Sequence, residues 1–210
     1  MNLLHHRPIR LFGLAILTLA ALLVLSALPQ HATPQSSSRE ILLEIDPAHS
    51  SVHWTLGTTF HTVHGTFAVK QGTMRVDLAA SRANGEIILD ATSGNSGDTG
   101  RDKKMHKDVL ESGRYADIIF RPDRIEGKIA RQGTSTAQVH GIFVLHGSEH
   151  EMSVPVQAEL NADHWTANSK FNIPFIDWGL KNPSNFFAKV DHAVEIELEM
   201  KGSLKDAATP

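Results

Sequence analysis

Apolar and charged positions alternate with a period of two along most of this chain. In VEIELEMK, Val194, Ile196, Leu198 and Met200 point one way, while Glu195, Glu197, Glu199 and Lys201 point the other. That is the pattern of a strand with one face on a core and one in water. HEMSVPVQAEL repeats it through Met152, Val154, Val156, Ala158 and Leu160. In TAQVHGIFVLHG the faces are Ala137, Val139, Gly141, Phe143 and Leu145 against Gln138, His140, Ile142, Val144 and His146, a less one-sided strand. VHGTFAVKQGTMRVDL reads as two strands joined at Gln71–Gly72, and GEIILDAT and ADIIFRPDRIEGKIA add more between short turns containing Gly, Pro or Asp. At least eight short strands follow, joined by hairpins and without strand–helix alternation. The predicted class is all-β, an antiparallel sandwich or barrel, and alternation alone does not choose between them.

One stretch breaks the pattern. TSGNSGDTGRDKKMHKDVLES, residues 92–112, begins as a Gly/Ser/Asn loop and continues as a charged segment with helical spacing. Met105, Val109 and Leu110 form a narrow apolar stripe on it, which predicts a short helix lying on a surface or across a barrel mouth. Its Arg101, Lys103, Lys104 and Lys107 bring positive charge to where an anionic headgroup would be met, and a solvated capping helix is the plainer alternative. The glycine spacing does not fit a phosphate loop, and Ser96 does not sit in a nucleophile elbow.

Residues 1–32 stand apart from the strand pattern. Arg7 and Arg10 precede an uncharged apolar run from Leu11 to Leu28, which predicts an export signal or an uncleaved N-terminal membrane anchor. Residues 33–40 then read as a polar tether, 41–203 as the folded domain and 204–210 as a polar tail. The expected location is therefore exported, periplasmic or otherwise extracytoplasmic, with membrane association through the N-terminal segment an open alternative. The chain has no cysteine, so an exported domain would depend on its core rather than on disulfides. A formal net charge of −3, with no basic block, argues against nucleic acid as a partner.

Large aromatic residues are the candidates for the interior: Trp54, Phe60, Phe67, Phe120, Phe143, Phe171, Phe175 and Trp178. In a small barrel such residues either fill the core or line a ligand tunnel. The thirteen histidines offer a rival chemistry. His49 and His53 would lie roughly 13 Å apart on one strand face, too far to share a metal. His61 with His64, and His146 with His150 across a hairpin turn, are the better-spaced candidates for a metal or haem-associated site. Ser50, His49 and Asp46 are too close in sequence to suggest a catalytic triad, and no paired-carboxylate or metalloprotease spacing occurs, so no enzyme activity is expected.

Four blocks of the chain, in order, resemble the YceI-like, polyisoprenoid-binding family. IDPAHSSVHWTL with HTVHGTF is similar to its opening strands, with Asp46, His49 and Ser50 in an Asp-x-x-His-Ser setting that implies a structural hydrogen-bond network. GRDKKMHKDVLESGRYADIIF is similar to its Arg-Asp and Leu-x-Ser signature through Arg101, Asp102, Leu110, Ser112, Ile118 and Phe120. Gly141, His146 and Gly147 match a hairpin block, and Asp177, Trp178 and Gly179 a late aromatic block. The resemblance implies a lipocalin-like antiparallel β-barrel with a short helix capping one end. It also implies an apolar tunnel that holds a long isoprenoid, a polyprenyl phosphate or isoprenoid quinone, as ligand rather than cofactor. Arg101, Asp102, Lys104 and His106 become the candidate headgroup or mouth residues. His64, Ala116, Phe143 and the longer loop KNPSNFF depart from the family pattern and change the size and polarity of the tunnel wall or mouth. A structural or stress-related barrel with a filled core is the remaining alternative.

Overall fold

The computed structural model describes residues 40–207, so the expected signal or anchor and nearly all of the tether lie outside the described residues. Nine strands account for most of the described chain: β1 Glu40–Ile45, β2 Ser51–Gly57, β3 Thr62–Asp77, β4 Arg82–Asn95, β5 Asp117–Gly127, β6 Gly133–Leu145, β7 Ser148–Leu160, β8 His164–Ile173 and β9 Val194–Asp206. Every pairing is antiparallel. The order runs β2-β9-β8-β7-β6-β5-β4-β3 and returns to β2, while β1 shares the slot of β2 between β3 and β9. The sheet is thus a closed barrel of eight staves, one of them broken, in which every strand has a partner on both sides over at least part of its length.

The break between β1 and β2 explains the Asp46–His49–Ser50 block. Pro47–His49 form a 3-10 turn, with the Asp46 carboxylate accepting from Ala48 N–H at 3.0 Å as its cap. Asp46 Oδ2 lies 2.7 Å from His49 Nδ1, and this hydrogen bond is the largest cause holding the Asp46 carboxyl below the ordinary aspartate value. Ser50 Oγ donates to Asp46 O at 2.8 Å and accepts from Lys201 N–H at 3.0 Å, fixing the kink to β9.

Two expectations need correction. Gln71–Gly72 is not a turn: β3 runs through it, with register shifts against β4 between Thr66 and Ala68 and between Val69 and Gln71. These bulges bend one long strand so that its first half pairs with β2 and its second with β1. Gly72 gives the Ile45 side chain room there, since a Cβ would meet its tip. The true hairpin follows Asp77, whose carboxylate accepts from Ala79 and Ala80 N–H, both at 2.9 Å. The second is the tail: β9 continues to Asp206, Leu204 stands opposite Leu43, and Ala207 is buried, so 204–207 belong to the barrel.

The helical stretch forms α1, Thr99–Lys104, which continues into a π-turn at Met105–Val109 closed by Leu110 N–H on Met105 O at 2.9 Å. Asp98 caps its start by accepting from Arg101 N–H at 2.8 Å. The antiparallel order brings this segment to the same end of the barrel as the β2–β3 turn, the β6–β7 turn and the β8–β9 connection. At the opposite end the interior is solid. Ile41, Val76, Ala83, Ile125, Ala137, Ala158, Leu160 and Trp165 pack there as one buried cluster.

Candidate functional site: a cavity beneath the capping helix

The helix half of the barrel is hollow. A cavity of about 500 Å³ lies between the inward faces of β2 to β9, with Met105, Val109 and Leu110 of the helical segment along it. The apolar stripe of the helix therefore faces the barrel interior. At roughly 30 Å³ per heavy atom, the share of a water molecule in the liquid, the space takes about 15 carbon-sized atoms.

Trp54, Phe67, Phe120, Phe143, Phe171 and Phe175 all line this cavity. The Trp54 indole can lie across the wall because its register partner is Gly65, where a Cβ would collide with the ring. Trp54 Nε1 is buried with no hydrogen-bond partner among the described residues. Phe143 sits on β6 opposite His150 of β7 and 6.4 Å from the Phe120 ring. Two aromatic candidates lie elsewhere. Phe60 is at the tip of the β2–β3 turn and 70% exposed, since the hairpin carries it past the end of the barrel. Trp178 stacks on His150 at 4.0 Å with an interplanar angle of 2° and stands 5.7 Å from Phe143, backing the wall without lining it.

That stack occupies a particular place in the barrel. β7 and β8 pair only through Gln157–Leu160 and Trp165–Asn168. Pro155 has no N–H to extend the ladder, and its carbonyl accepts instead from Ser169 Oγ at 2.6 Å. Toward the helix end the two strands pair no further, and there the Trp178–His150 stack joins β7 to the β8–β9 connection. Burial holds the His150 imidazole below its ordinary value, and its Nε2 is buried without a partner among the described residues.

Of the described residues along the cavity only Arg101 and Lys104 are charged. Arg101 Nε donates to Ser96 Oγ at 2.7 Å and Nη2 to Ser96 O at 3.0 Å, tying the polar loop to the helix. Lys104 Nζ donates to Pro183 O at 3.0 Å, joining the helix to the β8–β9 connection. Asp102 and His106 have other partners. Asp102 Oδ1 accepts from Ser96 N–H at 2.9 Å, completing the loop clamp. His106 Nε2 lies 2.8 Å from Gly94 O, and its Nδ1 lies 3.0 Å from the Oγ of the buried Ser112. This arrangement requires an Nε2–H that donates to Gly94. Gly94 allows the approach, since a Cβ there would meet Phe67 and Met105.

The four alternative metal residues are not brought together. His64 Nδ1 is 3.0 Å from Thr55 Oγ1, His146 pairs with Glu111 at 3.2 Å, and His150 stacks on Trp178, while His61 lies exposed beside Phe60. No group of three or more His, Cys, Asp or Glu side chains converges on a metal position among the described residues. Sequence reasoning missed the aliphatic share of the wall, such as Leu56, Leu89, Ile173 and Leu180. The inward alternation of Ile196, Leu198 and Met200 was a visible signal for part of it.

A model of the YceI-like domain matches residues 43–202, which is most of the chain. The chain belongs to the YceI-like family. Comparison with curated proteins yields no match. Among solved structures, Burkholderia cenocepacia BcnA is similar at 18% identity, with 75% of this chain and 99% of that one covered and a TM-score of 0.63. A polyisoprenoid-binding domain from Saccharophagus degradans, implicated in plant cell wall breakdown, is similar at 13% identity, covering 78% and 98%, with a TM-score of 0.57. The YceI protein of Campylobacter jejuni is similar at 14% identity, covering 63% and 79%, with a TM-score of 0.50. At these identities the YceI-like fold is what the three structures have in common with this chain.

Proposed function

We propose that this YceI-like protein is an exported, non-enzymatic lipid-binding protein that holds part of a long isoprenoid, a polyprenyl phosphate or an isoprenoid quinone, in the barrel. The observation that carries this reading is the apolar cavity of about 500 Å³ beneath the helix, with Arg101 and Lys104 as the only charged residues along it among those described. An unbranched or isoprenoid hydrocarbon gains about 0.8 kcal/mol for each CH₂ removed from water, so such a chamber retains a chain strongly with few polar contacts. A cavity for about 15 carbon atoms takes roughly three five-carbon units, and the rest of a longer chain or its headgroup meets the mouth. Arg101 and Lys104 supply charge there for a phosphate or hydrogen-bond donors for a quinone carbonyl. The solved polyisoprenoid-binding domain with the same fold supports the ligand class.

The test is organic extraction of protein purified from the exported fraction without detergent, followed by mass spectrometry of the extract. A stoichiometric isoprenoid is expected. A blank extract from cells that make such lipids would overturn the reading.

A further inference from the structure

Three phenylalanines stand in water at the helix end of the barrel: Phe60 is 70%, Phe186 90% and Phe187 79% exposed. They belong to two loops that form one surface. Thr59 N–H donates to Lys189 O at 3.0 Å, Lys189 N–H donates to Thr59 Oγ1 at 3.0 Å, and Thr58 bridges to Val190. The tip bearing Phe186 and Phe187 is a built turn: Asn185 Oδ1 accepts from Phe187 N–H at 2.9 Å and Ala188 N–H at 2.8 Å. The two rings meet edge to face with centroids 5.2 Å apart. Thr58, Pro183 and Val190 of the same loops line the cavity, so the rings flank its mouth.

Exposed lysines flank them, interleaved with at least as many carboxylates. Lys103, Lys107, Lys181 and Lys189 are exposed on α1, the π-turn and the β8–β9 connection, although the whole chain carries a formal charge of −3. Of the four, only Lys181 forms an ion pair among the described residues, with Asp108 at 3.7 Å. The carboxylates on the same segments mostly have partners of their own: Asp98 caps α1, Asp102 holds Ser96, Asp108 pairs with Lys181, Glu111 lies 3.2 Å from His146 and Asp177 lies 3.9 Å from His192, which leaves Asp191. Aromatic rings on projecting tips, ringed by lysines, fit an anionic lipid surface: the rings enter the acyl boundary and the ammonium groups meet the headgroups.

We propose that this end of the barrel docks on an anionic bilayer, with Phe60, Phe186 and Phe187 inserted, so that a lipid passes between bilayer and cavity without crossing water. What passes rests on the lipid-binding reading above, whereas the docking surface rests on the loops themselves.

The absence of cysteine allows single labels on the full chain. Phe186→Cys and, at the opposite end, Gln132→Cys would each carry a bimane dye and be mixed with vesicles of equimolar phosphatidylglycerol and phosphatidylcholine. The expected result is a blue shift and protection from aqueous iodide at position 186 but not at 132. The label position matters because the apolar N-terminal stretch can hold the chain on vesicles by itself. Adding Phe60→Ser should raise the lipid concentration at half-maximal shift on the order of tenfold. No shift at 186, equal shifts at both positions, or a shift at 186 that follows protein concentration without vesicles would each overturn the proposal, the last in favour of self-association. Organic extracts of the same samples separate the two readings. Isoprenoid without insertion removes only the docking, and insertion with a blank extract removes only the ligand.

Discussion

Val154 and Ala158 stand four residues apart on β7, on the same inward face, and an enlarged side chain at each should have opposite consequences. Val154 borders the cavity, whereas Ala158 lies in the solid cluster with Leu160 and Trp165. Val154→Phe adds four heavy atoms, roughly 120 Å³ at 30 Å³ each, against an available space of about 500 Å³. The new ring grows into the hollow, so its net effect on stability should stay within about 1 kcal/mol, while about a quarter of the ligand volume disappears. Ala158→Phe adds six heavy atoms where no such space exists, and overpacking of that kind costs about 1–3 kcal/mol. For a domain of this size the melting temperature should fall by about 2–4 °C per kcal/mol, hence by roughly 2–12 °C. The assay is a thermal melt of organically extracted protein beside mass-spectrometric quantification of ligand before extraction. Val154→Phe should melt near the wild-type temperature and carry less ligand, and Ala158→Phe should melt lower. Equal destabilisation by both substitutions would refute the division into a hollow and a solid half.

Two further perturbations test the supports of the site. His106→Ala removes the Nε2–H that serves Gly94 O and leaves the buried Ser112 hydroxyl without its side-chain partner. The expected loss is about 1–3 kcal/mol in a denaturant titration, and hydrogen exchange should accelerate first in residues 94–112. For His150, burial lowers the folded-state value below the unfolded one of 6.5, so the unfolded chain takes up a proton first. The His150 contribution is therefore intact above about pH 6.5 and declines as pH falls below it. Melting curves from pH 8 to 5 should drop less steeply for His150→Phe, which keeps a ring against Trp178, and parallel curves would exclude the assignment.

Alternation made the inward face of most strands legible, because a period of two in β7 or β9 leaves little choice about which side is buried. The barrel was not legible from it, since closure depends on β3 meeting both β4 and the β1–β2 stave, a long-range pairing that alternation does not encode. Gly72 misled for a local reason. A glycine after Gln71 reads as a turn, but here it clears the Ile45 side chain beside a bulge. The stripe Met105, Val109 and Leu110 was visible and faces the cavity. The role of His106 was not, because Gly94 and Ser112 come within its reach only when β4 and the helix pack together. Phe60 shows the limit of composition: an aromatic in a β protein is usually interior, and only its place at a hairpin tip makes it solvent-facing.

The division of the barrel also bears on how a fold without disulfides tolerates a cavity. An empty apolar space forfeits contacts that a filled core would make, by roughly 24 cal/mol per Å³ where a side chain has been deleted. Such a loss is sustainable only if other parts of the structure are closely packed. Here the far half concentrates that packing: Ile41, Leu160 and Trp165 are almost wholly buried, and β1 pairs with both β3 and β9 at that end. The hollow half compensates differently, through polar ties that do not occupy its interior: Arg101 and Asp102 on Ser96, His106 on Gly94, and Lys104 on Pro183. These ties hold the helix over the cavity from its rim.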